Sequence, residues 1–340
     1  MANQAILSVQ PLGFPWKTQD PFLFCVYHKD DYPKGNDQMG PDASLAGRNL
    51  GQDFVLKDGW RMYHGQVVPG FPAHPHRGFE TVTIVEKGYV DHSDSMGATA
   101  RFGHGDVQWL TSGKGLQHSE MFPLTRQDEP NPLVLFQLWL NLPAKSKFVE
   151  PHFKMLWSET IPMVIHKDGN NKTTQIAIIA GHMAGEKAPE PSPNSWAADP
   201  DNKVGIFTIK LEAGATWKLP ATSPDVNRTL YYYKGKSLKI AGMQMQPDHS
   251  FELNPASDIQ LTNDSEESWL LLLQGKPINE PVVQHGPFVM NSREEVMEAF
   301  KDFQSTQFGG WPWDNPSPVH DRKKGRFARH ADGKTEEIAL

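Results

Sequence analysis

Four side chains between positions 74 and 120 have the types and spacing for metal chemistry: His74, His76, His118 and Glu120. Residues two apart on a β-strand point to the same face. His74 and His76 can therefore present two imidazoles together, and His118 with Glu120 an imidazole and a carboxylate. Three neutral imidazoles and one carboxylate make a mixed nitrogen and oxygen donor set that suits Fe(II), Mn, Ni, Cu or Zn far better than Ca or Mg. A metal preferring six ligands would keep two positions for water, substrate or dioxygen. Glu80 shares the strand parity of His74 and His76 and offers a second carboxylate. An H-x-H pair alone often lies on a solvated strand. The His-x-Glu pair roughly 40 residues further on, across β-rich segments with turn signals, is what two facing hairpins of one barrel would supply.

The elements that must position these residues read as short strands punctuated by turns. Gly and Pro number 28 each, an all-β signature, and 340 residues favour two domains over one. Residues 1–20, broken by Pro11 and Pro15, read as an extended arm, and residues 22–28 as a buried strand. Residues 29–49, dense in Asp, Gly, Asn and Pro, are longer than an ordinary hairpin loop and read as a surface loop or as a lid over a barrel mouth. The run D-H-S-D-S-M-G at residues 91–97 reads as a polar turn, which makes His92 a turn histidine; His104, between two glycines, reads the same way. Residues 133–142 complete a first barrel, with Gln137 and Trp139 sharing a face that looks into a pocket or packs in the core.

Residues 145–151 read as a linker, after which the strand pattern repeats at 174–180, 204–211, 230–233 and 269–273. No H-x-H occurs between Gly214 and Gly235 and no His-x-Glu later, so the second barrel is expected to be metal-free. Residues 291–303 are the clearest helix: Ser292 and Glu295 form a capping box, and Val296, Phe300 and Phe303 line one apolar face. Residues 308–313 are expected to dock by their aromatics, and the polar tail from Asn315 to be partly disordered. The domains expected are thus 1–147, 148–314 with the helix, and a tail 315–340.

In cupins the first metal motif is roughly G-x5-H-x-H-x3/4-E-x6-G and the second G-x5-P-x-G-x2-H-x3-N. Gly70, His74, His76, Glu80 and Gly88 resemble the first, and Gly105, Gly113 and His118 the second. Four residues rather than two separate Gly113 from His118, and Thr111 takes the proline position. Both departures are those of the pirin family. H-P-H-R-G-F-E-T-V with G-D-V-Q-W-L-T-S-G-K-G-L-Q-H-S-E-M resembles pirins closely, as do F-Q-L-W-L-N-L-P, V-E-P-H-F and E-P-V-V-Q-H-G-P-F-V-M-N. The resemblance implies two tandem cupin (jelly-roll-like) β-barrels with a C-terminal helix and one metal in the N-terminal barrel. It also implies, as in some members, a quercetin 2,3-dioxygenase activity. It assigns Glu120 rather than Glu80 to the metal, leaving Glu80 to orient an imidazole N–H or to sit as an ordinary strand residue.

The implied cofactor is one divalent metal ion, Fe first, with Mn, Ni, Cu or Zn fitting the same donors. The implied substrate is a small flavonol-like aromatic that Glu120, as catalytic base, would deprotonate. The competing reading is a redox-sensing regulatory protein acting through a protein partner, and a third a closed structural site. With 33 basic and 40 acidic residues, no global positive field draws the chain to nucleic acid or an anionic membrane. The basic cluster Arg322, Lys323, Lys324 and Arg326 reads as a solvated tail. Cys25 is the single cysteine, and neither a signal-peptide pattern nor a long apolar run occurs, so a cytoplasmic location is expected.

Overall fold

The computed structural model describes residues 5–338. Apart from one α-helix, Arg293–Thr306, and short 3-10 turns, its regular structure is β. No helix among the described residues is long and apolar enough to cross a membrane. The chain divides into two compact units, and each recruits a distant terminal segment. One unit joins Val26–Ser158 to the chain from Glu280 onward, and the other joins the chain up to Cys25 to Glu159–Asn279. Contiguous segments 1–147, 148–314 and 315–340 do not capture this division. The reason is pairing: Ile6–Pro11 adds to the strand His249–Leu253, and Phe327–Arg329 adds to Thr99–Gly103.

The unit with the histidines holds two antiparallel sheets. One orders its strands His152–Leu156, Val107–Thr111, Phe79–Lys87 and Asn131–Asn141; the other runs Phe327–Arg329, Thr99–Gly103, Tyr89–Asp94, Leu116–Met121 and Gly70–His76. Side chains of Thr83 and Gln137 on the first sheet bond to Glu120 on the second, so these faces meet across the barrel interior. Outside that polar patch a core of Val85, Val90, Phe102, Leu110, Leu116 and Leu135 closes the unit, joined by Trp60, Met62 and Tyr63 from the long segment before Gly70. Each such buried side chain stabilises the fold by roughly 1.5–3 kcal/mol.

Over its described residues, up to Ile338, the polar tail is ordered rather than frayed. Arg101, fully buried, pairs with both oxygens of Asp91 and donates to the carbonyls of His320, Asp321 and Lys324. Arg326 donates to the buried Asp106, and Arg322 to the carbonyls of Leu124 and Thr125. The tail is held by hydrogen bonds to charged groups, which its polar composition does not advertise. The basic cluster is in large part structural.

The helix Arg293–Thr306 is capped as its sequence dictates, the Ser292 hydroxyl accepting from Glu295 N and the Glu295 carboxylate from the Ser292 N–H. It buries Val296 and Ala299, and Phe300 packs edge-on to Phe288 at 4.8 Å.

The other unit pairs a seven-stranded sheet containing Thr173–Ala180, Gly205–Leu211, Asn227–Lys234 and Ser268–Gly275 with a four-stranded sheet containing Thr216–Leu219 and Ile259–Asn263. Its core is Ile176, Ile178, Phe207, Ile209, Leu230, Leu261, Leu270 and Leu272.

Candidate metal centre

His74 and His76 lie on Gly70–His76, and His118 and Glu120 on its antiparallel neighbour Leu116–Met121, with His74 directly opposite His118. Gly70, at φ +132°, lets the two strands close beside the site, because a Cβ there would stand 2.4 Å from the Glu120 carbonyl oxygen. The pairing slips between Phe71 and His74, three residues on one strand spanning two on the other. This bulge turns Phe71 to the face that Glu120 and the histidines share, against simple parity. Its ring lies 6.3 Å from that of His74.

The three imidazoles converge: one ring nitrogen from each can be chosen so that all lie within 4.8 Å of one another. Among the described residues they are the one such group of three or more His, Cys, Asp or Glu. His74 Nδ1 lies 2.8 Å from the Pro72 carbonyl and His76 Nδ1 3.4 Å from that of Pro287, which leaves both Nε2 atoms for a ligand. Neither ring nitrogen of His118, a fully buried residue, has a hydrogen-bond partner. Burial holds the His74 imidazole down to about 4 and those of His76 and His118 well below their usual range. All three are therefore neutral near pH 7 and offer lone pairs. An orphaned buried imidazole beside two neutral, tethered ones fits a first-row metal ion.

Glu120 is placed beside this trio. Its Oε2 lies 3.8 Å from His118 Nε2, its Oε1 accepts from the Thr83 hydroxyl at 3.1 Å, and its Oε2 accepts from Gln137 Nε2 at 2.5 Å. Burial raises its carboxyl above the ordinary value, opposed by His92 and by these two donors. Gln137 in turn accepts from Trp139 Nε1 at 3.3 Å. The Trp139 ring stacks on Phe79 and stands 5.2 Å edge-on from His76. The face shared by Gln137 and Trp139 thus looks at the histidines. Glu80 is buried on Phe79–Lys87, where it accepts from the Thr111 hydroxyl at 2.6 Å.

His92 is not in a turn. It lies on Tyr89–Asp94 directly opposite Glu120, fully buried, with Nε2 3.1 Å from Asp94 Oδ2 and its ring 5.6 Å from that of His118. The turn begins only at Ser95, where Asp94 Oδ1 accepts the N–H groups of Met96 and Ala98. The alternation of His92 and Asp94 was the available signal; Phe71 and the Pro287 carbonyl left none that local spacing could reveal. His104 does occupy a turn, at φ +54°.

Two barrels of this kind, with a histidine cluster inside one of them, define a two-domain cupin. The pirin family's sequence pattern matches residues 15–140 and that of the pirin C-terminal cupin domain residues 206–309, so the chain belongs to the pirin family. Human pirin is 36% identical over 246 residues, 71% of this chain and 78% of the relative. A Pseudomonas aeruginosa protein provisionally named quercetin 2,3-dioxygenase is 34% identical over 240 residues, 70% of this chain and 79% of its own. Among solved structures, a quercetin 2,3-dioxygenase from Acinetobacter baumannii aligns with a TM-score of 0.69 at 25% identity, covering 90% of this chain and 98% of that one.

Proposed function

We propose that this chain is a metal-dependent dioxygenase of the quercetin 2,3-dioxygenase type. His74, His76, His118 and Glu120 would hold one divalent ion, Fe before Mn, Ni, Cu or Zn. The observation that carries the reading is the buried, unpartnered imidazole of His118 between His74 and His76, with the Glu120 carboxylate beside it. The names of the Pseudomonas and Acinetobacter relatives supply the substrate class, a flavonol-like aromatic. Once bound, such an ion would supply acidification of a coordinated hydroxyl and, where it is redox-active, as Zn is not, an electron path to dioxygen.

The protein's own groups do the remainder. Glu120, its basicity raised by burial, accepts the proton of the substrate hydroxyl. Thr83 and Gln137 each donate to one carboxylate oxygen and so fix the orientation of the group. Phe71 and Trp139 offer flat apolar surface beside the trio. A cytoplasmic location is part of the proposal, supported by the single, buried, unpaired Cys25. The test is metal analysis of protein purified without added metal, followed by oxygen consumption with several flavonols. Near one equivalent of Fe, Mn, Ni or Cu, lost in His74→Ala, together with flavonol-dependent oxygen uptake lost in Glu120→Gln, is the expected outcome. Metal-loaded protein that consumes no oxygen with any flavonol overturns the activity.

A further inference from the structure

Tyr63 has a φ of +57°, a strained value for a bulky side chain that persists only where the surroundings over-determine it. They do so here. The ring is fully buried, and its hydroxyl donates to Asp30 Oδ2 at 2.6 Å and accepts from His28 Nδ1 at 2.8 Å. Its backbone N–H donates to the Asp53 carbonyl at 3.0 Å, and its carbonyl accepts from the Asp53 N–H at 2.8 Å. None of these groups has a part in the chemistry proposed above. Strain held by a buried network draws attention to what it positions, and the next residue is His64. The His64 N–H donates to the carbonyl of Gly70 at 3.1 Å, the first residue of the strand that carries His74 and His76.

His64 is exposed, yet its ring is tethered. Nδ1 donates to the Gly51 carbonyl at 2.7 Å, so the neutral imidazole keeps its lone pair on Nε2. Among the described residues Nε2 has no hydrogen-bond partner. Two aromatic rings frame the imidazole edge-on, Phe54 at 5.0 Å and Phe71 at 5.7 Å. Phe54 is 39% exposed, and Phe71 reaches on its other side to His74 at 6.3 Å. His64 and His74 are thus separated by two ring-to-ring steps across one phenylalanine. Burial is the main cause of the low His74 value, and His64 stands near enough to depress it further. A fixed tautomer with an open acceptor, flanked by apolar rings, is suited to receive a donor carried on an aromatic ring.

We propose that His64 is a substrate-binding residue: Nε2 accepts a hydrogen bond from a phenolic hydroxyl other than the one held at the histidine trio, and Phe54 and Phe71 flank the ring that bears it. The inference rests on the flavonol reading of the site and adds a requirement to it, a second hydroxyl on the substrate.

The test is equilibrium dialysis of metal-loaded, full-length protein without dioxygen, so that no turnover intervenes. The ligands are quercetin and 3-hydroxyflavone, which lacks every hydroxyl but the one at position 3. His64→Phe is expected to weaken quercetin binding about fivefold, as the loss of one hydrogen bond implies, while 3-hydroxyflavone binding and metal content stay unchanged. His64→Gln, whose amide oxygen can serve as acceptor in place of Nε2, is expected to recover most of the quercetin affinity. Quercetin binding unchanged in His64→Phe, or equal losses for the two ligands, overturns the inference and leaves the flavonol reading standing. Loss of metal or of the melting transition in both variants overturns it too, by assigning His64 to the fold. Failure of both ligands to bind the wild-type protein overturns the flavonol reading and this inference together.

Discussion

In the unit that carries His118, side chains in the barrel interior include His74, His76, Thr83, His92, Glu120 and Gln137. In the other, the corresponding inner faces hold Ile176, Phe207, Leu230, Leu270 and Leu272. Both are antiparallel two-sheet barrels, yet one carries an under-bonded polar patch in its interior and the other fills the same place with hydrocarbon. The difference matters because a buried leucine needs no partner while a buried imidazole does. The stored cost in the polar barrel is visible in its orphaned atoms: His118 keeps two unpartnered nitrogens and His92 one. The other unit also holds buried side-chain atoms without a partner, at Thr18, Thr174, Ser192, Arg228 and Gln274.

The sharpest way to break this comparison is His118→Ala. Metal content measured by elemental analysis should fall from near one equivalent to below about a tenth, in line with loss of a ligand rather than of its support. Retention of metal would show that the polar barrel is not the metal site. Next comes Leu272→Ala in the apolar barrel, which should cost about 2–5 kcal/mol by denaturant unfolding while leaving metal content unchanged.

The two interiors should also differ in pH response. Burial takes His28 from 6.5 to about 3 and His74 to about 4, so the fold binds fewer protons than the unfolded chain between those values and 6.5. Stability of metal-free protein should therefore be fully present above pH 6.5 and fall as pH drops toward 4 and below. The loss is on the order of 2 kcal/mol per histidine by pH 5. A melting temperature flat from pH 7 to 5 would contradict it. A smaller effect is expected for Gln137→Leu, which strips Glu120 of one donor and should lower oxygen-uptake kcat about tenfold with the metal retained. Smallest is Ser292→Ala, which removes the helix cap and should lower stability by about 1 kcal/mol.

The chemistry was legible where it is local. Two residues of spacing on a strand placed His74 with His76 and His118 with Glu120, and the structure brings the three histidines together. The capping box located the helix start for the same reason. What escaped depends on partners far along the chain. The run at residues 91–97 looks like a turn by composition, yet Asp91 is satisfied by Arg101 and Ser93 by Thr99, so most of it extends as strand. Phe71 was hidden by a bulge that breaks the period of two. The tail looked frayed because its order comes from guanidinium groups gripping backbone carbonyls.

The tether on His76 also fixes a schedule. Its carbonyl partner, Pro287, lies 211 residues downstream, beyond the whole of the intervening unit. At about 5–20 residues per second of synthesis, the imidazoles emerge on the order of ten to forty seconds before the segment that orients one of them. A nascent chain stalled before residue 280 would display its histidines without that restraint.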